Sequence, residues 1–107
     1  MIDEQQIDQL VTDLLANSET AGRLRGERVW AEEYRKSLKA ILASQSNESS
    51  EAAKERAAYR HEKYLEHLEV LKKAVTEDEA NKAWRAGADM AISAWQTMEA
   101  NKRSVKL

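Results

Sequence analysis

His67 to Met90 reads HLEVLKKAVTEDEANKAWRAGADM, and the phase of its apolar residues decides how the chain folds. Leading into it, Ala57, His61, Tyr64, Leu68, Leu71 and Val75 alternate by four and three, the spacing of a heptad seam. Past Val75 the same phase puts Asp78, Lys82, Arg85 and Asp89 on the apolar face. The apolar residues that follow are Trp84, Ala88, Ala91, Trp95 and Met98, about half a turn away. The helix either breaks between the two stripes or turns its two halves toward different partners. Thr76, with Glu79 three residues later, has the form of a capping box. The expectation is therefore a tight turn near residue 76. The rival is one long helix, since no glycine or proline enforces a break there.

Working outward, Ile7, Leu10, Val11, Leu14 and Leu15 recur at helical spacing behind Asp3, a capping residue with Gln6 three positions on. ANSETAG, from Ala16 to Gly22, reads as a break because its side chains bond locally. A second helix follows, with Trp30, Tyr34, Leu38, Ile41 and Leu42 as its apolar stripe. SQSNESS, from Ser44 to Ser50, is the strongest loop signal in the chain, and Ser49 or Ser50 caps the next helix. The predicted helices are 3–17, about 22–44, 51–75 and 77–102, in one domain over 1–107. The fold class is all-α: three to four helices in an elongated antiparallel hairpin or small bundle.

Composition supports this reading. Of 107 residues, 42% are hydrophobic and 34% charged, with no proline, so a large core is not expected and nothing removes a backbone donor from a helix. Self-pairing along the seam would supply missing burial, which predicts a homodimer. The absence of cysteine excludes disulfides and thiolate chemistry. The opening MIDEQQIDQL is too polar for a signal peptide, and no apolar run approaches a bilayer span. The expected location is the cytoplasm.

The sequence holds no recognisable reaction centre. His61 and His67 are six residues apart and point to different helix faces, so no metal site is expected. The carboxylates alternate with Lys and Arg, as Glu69 does with Lys73, in the pattern of a solvated helix surface. No glycine-rich phosphate loop or nucleophile motif occurs. A non-enzymatic protein without cofactors is expected.

Two features remain as candidate partner-binding sites. Trp84 and Trp95 in AWRAGADMAISAWQTMEANKR, Ala83 to Arg103, share a helix face among alanines and one glycine, which suits a packing seam against Trp30 and Tyr34 or a partner platform. Arg23, Arg25 and Arg28 cluster near one helix start. Lys102, Arg103 and Lys106 cluster at the C-terminal end, where cations favour the helix dipole. Two basic ends could hold phosphates, so nucleic acid is the alternative partner.

EAAKERAAYRHEKYLEHLEVL, followed by AISAWQTMEANKR, resembles small helical proteins of unknown role that tailed phages encode near their recombination and early genes. The shared pattern falls on Trp95, Thr97, Ala100, Asn101 and Arg103, and the resemblance covers residues 51–103. It implies a phage or prophage origin and a binding role, and carries no catalytic residue across. The functional expectation is a protein-binding accessory or inhibitor docking on a larger host or phage assembly. The alternative is an accessory nucleic-acid binder in recombination or replication.

Overall fold

The structure is a computed structural model that describes residues 2–106. The side chain of Lys106, the third cation of the C-terminal group, lies outside what is described. The chain is all-α, and among the described residues there is no strand. Its helices are α1 (Glu4–Ala16), α2 (Ser18–Ser44), α3 (Glu51–Arg60) and α4 (Glu62–Lys106). The helices pack as two compact units. One is Arg23–Asp78; the other joins Met1–Gly22 to Glu79–Leu107.

α1 begins as its sequence dictates. The Asp3 carboxylate accepts from the Gln6 amide and the Gln6 side chain accepts from the Asp3 amide, each at 2.9 Å. The expected break at ANSETAG shrinks to Asn17 alone, and α2 starts at Ser18 instead of near residue 22. The side chains of ANSETAG do not compete with the helix here. Ser18 donates back to the Leu14 carbonyl, and Asn17 turns to Asn81 and Arg85.

The loop after α2 falls where Ser and Asn predict it, and Ser50 caps α3 by accepting from the Ala53 amide at 3.1 Å. The next break lies at His61, not near Thr76. His61 adopts an extended backbone, φ −66° and ψ 138°, and its Nδ1 accepts from the Lys63 amide at 3.1 Å. The imidazole thus caps α4 instead of lining a seam. Thr76 lies inside α4, where its hydroxyl donates to the Lys72 carbonyl at 2.8 Å. One helix therefore runs through residues 62–106.

α4 explains the apparent change of phase. Its inward residues are Tyr64, His67, Leu71, Ala74, Asp78, Asn81, Arg85 and Ala88, all buried or half-buried and spaced by three and four throughout. The stripe does not shift at residue 76; its middle positions are polar.

In the Arg23–Asp78 unit, α2 and the first part of α4 run antiparallel. Leu38 and Leu42 meet Ala58 and Tyr64 in its core, with Ala43 and Leu68 against them. Two residues of the seam expected to pair copies, Tyr64 and Leu68, thus pack inside the chain. Lys39 ties α2 to α3, donating to the Tyr59 hydroxyl at 3.0 Å and to Glu55 at 3.1 Å. In the other unit α1 runs antiparallel to the later part of α4, burying Ile7 and Ala88. There the Asn17 amide donates to Asn81 at 3.0 Å, while Arg85 donates to Asn17 and to the Leu14 carbonyl.

Candidate protein-docking groove

α2 turns Leu24, Arg28, Ala31, Arg35, Leu38 and Leu42 inward, again at spacings of three and four. Trp30, Tyr34 and Ile41 therefore flank that stripe instead of forming it, and Trp30 is 59% exposed. Its ring is nonetheless held in place. Trp30 and Tyr34 stack at 4.9 Å with their planes 7° apart, and His67 meets Tyr34 edge-on at 5.0 Å. His67 is itself buried and bonds through Nε2 to the Ala31 carbonyl at 2.7 Å. A carbonyl only accepts, so Nε2 carries the proton. A helix-to-helix hydrogen bond thus anchors the base of an exposed aromatic stack.

Beside the stack is an open groove of about 520 Å³. Trp30, Val70, Ala31, Ala74 and Gly26 give it an apolar lining, and Glu27, Lys73 and Glu77 supply its charges. The antiparallel run of α2 and α4 places Gly26, Glu27 and Glu77 toward one end, and Trp30, Val70 and Lys73 toward the other. Gly26 widens the acidic end, because a Cβ there would meet nothing within 4 Å. The groove offers shape and a mostly apolar surface with charges at its edges.

The residues singled out from sequence are placed differently. The Arg28 guanidinium lies 2.6 Å from Asp78, a side chain only 2% exposed. Arg23 pairs with Glu27 at 3.0 Å, and Arg25 is exposed. Lys102 pairs with Glu99 at 3.2 Å, and Arg103 is exposed. Trp84 is 40% exposed on α4. Trp95 is half-buried and closes a recess of about 150 Å³ with Ile2, Ala91, Ala94 and Met98. Trp30 and Tyr34 stack on each other, and His67 meets both rings edge-on.

Comparison with family models, curated proteins and solved structures returned no match to this chain. No helix among the described residues is long and apolar enough to cross a membrane, and no group of three or more metal-ligating side chains lies together among them.

Sequence reasoning missed the groove because it took Trp30 for a core residue. The available signal was the Leu24, Ala31, Leu38 and Leu42 spacing, which excludes Trp30 once Arg28 is accepted as an inward position.

Proposed function

We propose that this chain is a non-enzymatic protein-binding accessory or inhibitor that docks on a larger protein assembly through the groove beside Trp30. The observation that carries this reading is a mostly exposed indole, held by stacking on Tyr34 and seated against an apolar groove. A large ring already fixed in place loses little freedom on binding, and such rings dominate interface energetics. The resemblance over residues 51–103 supports a phage or prophage setting, hence the cytoplasm of a host cell. Nucleic acid is the weaker reading, because Arg28 and Arg23 have acidic partners within the same unit.

The test compares immobilised wild type and Trp30→Ala as baits in nuclease-treated extract of a bacterial host. Proteins held by wild type at high salt and lost with Trp30→Ala, at an unchanged melting temperature, support apolar docking. Binding that vanishes with salt in both baits points instead to phosphate contacts. Equal capture by both baits overturns the assignment to this groove.

A further inference from the structure

The groove is asymmetric along its length. One end has a bulky indole and an ammonium, Trp30 and Lys73. The other has open space above Gly26 and two carboxylates, Glu77 and a Glu27 that already pairs with Arg23 at 3.0 Å. Each end has the shape and charge that the opposite end requires. A two-fold axis across the middle of the groove would set the ring end of one copy over the open end of another, twice.

We infer that in the free protein this groove is occupied by a second copy of the same chain, docked about such an axis. The inference rests on the reading of the groove as a protein-docking surface and gives that surface its regulation: self-pairing covers the site that a partner must uncover. Trp30 of one copy lies over Gly26 and Ala74 of the other. Lys73, whose side chain is 78% exposed, meets Glu77 of the other copy, at 44%. Within one chain these two approach only to 3.9 Å, an exposed contact that yields readily to a second carboxylate. A stable pair buries roughly 800 Å² on each side, more than a groove of this size supplies. The rest is available on the same outward stripe of α2, where Tyr34 and Ile41 are 37% and 47% exposed.

Sedimentation of the purified chain from micromolar to sub-millimolar concentration reads the pairing. Wild type is expected to dimerise and Trp30→Ala to remain monomeric. Gly26→Leu projects into open space, so the fold tolerates it, and it blocks the seat of the incoming ring; it too is expected to be monomeric. Charge exchange gives the sharpest result. Lys73→Glu places like charges at both contacts of its own dimer, and so does Glu77→Lys. Each variant alone sediments as a monomer, whereas an equimolar mixture pairs, since every contact is then opposite in sign. A wild type that stays monomeric, a Gly26→Leu dimer or a mixture that fails to pair overturns self-occupation. The docking reading fails separately. It falls if Trp30→Ala captures the same proteins as wild type, whatever the oligomeric state, and it survives a monomeric wild type whose capture depends on Trp30.

Discussion

Arg28 on α2 and Asp78 on α4 form an ion pair at 2.6 Å, with side chains 18% and 2% exposed, on the inward stripe of each helix. Removing Asp78 leaves the mostly buried Arg28 guanidinium to a longer contact with Glu32 at 3.7 Å, a poorer partner for a charge so far out of water. Asp78→Ala is therefore expected to cost about 3–5 kcal/mol, whereas exchanging both residues for apolar ones of similar volume, Arg28→Met with Asp78→Leu, is expected to recover most of it. Denaturant unfolding of the single and double variants checks this. Equal losses in both would mean that the pair contributes favourably in itself.

The same pair explains what was legible in the sequence. Helix content, the Asp3 cap, the loop at residues 44–50 and the Ser50 cap follow from local chemistry, and all were readable. The facing of α2 and α4 was not, because each inward stripe carries charge where a reader expects an apolar residue. Excluding Arg28 rotates the α2 stripe onto Trp30, and excluding Asp78 and Arg85 breaks α4 at Thr76. Each inward charge reaches a residue distant in sequence, Asp78 to Arg28 and Arg85 to Asn17, and one-dimensional spacing cannot show that. The His61 cap was hidden for a different reason: its imidazole accepts a backbone amide, a role usually filled by Ser, Thr, Asp or Asn.

Gly22 and Gly87 lie within helices at right-handed backbone angles, and a Cβ at either would meet nothing within 4 Å. Nothing in the packing offsets their conformational freedom in the unfolded chain. Gly22→Ala and Gly87→Ala are each expected to stabilise by about 0.5–1 kcal/mol. Thermal melts of the two variants and their combination test this; a fall in melting temperature would mean that the backbone at these sites needs glycine.

Lys39 supplies a pH dependence. Its hydrogen bond to the Tyr59 hydroxyl, and secondly that to Glu55, hold the ammonium above the ordinary lysine value of 10.5. A raised pKa in the folded state means that the charged form is favoured by folding. The contribution is complete below about pH 10.5 and is lost as pH climbs through the raised value. The stability difference between wild type and Lys39→Met should stay constant through neutral pH and shrink at strongly alkaline pH. A difference that grows with alkalinity would contradict the linkage.

Trp84 and Trp95 sit on one face by spacing but not by burial, and their alanine variants should separate accordingly. Trp84 is 40% exposed, so more than half of its surface leaves water on folding but its outer edge stays wet, and Trp84→Ala should cost about 1–2 kcal/mol. Trp95 is half-buried against Ile2, Ala91 and Met98. Its loss opens only part of a cavity, so Trp95→Ala should cost about 2–3 kcal/mol, more than Trp84→Ala and below the roughly 3–5 kcal/mol of a fully enclosed ring. Chemical unfolding monitored by far-ultraviolet circular dichroism reads both without relying on the fluorescence being removed. Equal losses of several kcal/mol would show that both rings are core residues and that Trp84 is shielded in solution. If Trp95→Ala costs nothing, the recess beside Ile2 contributes nothing to holding α1 on α4.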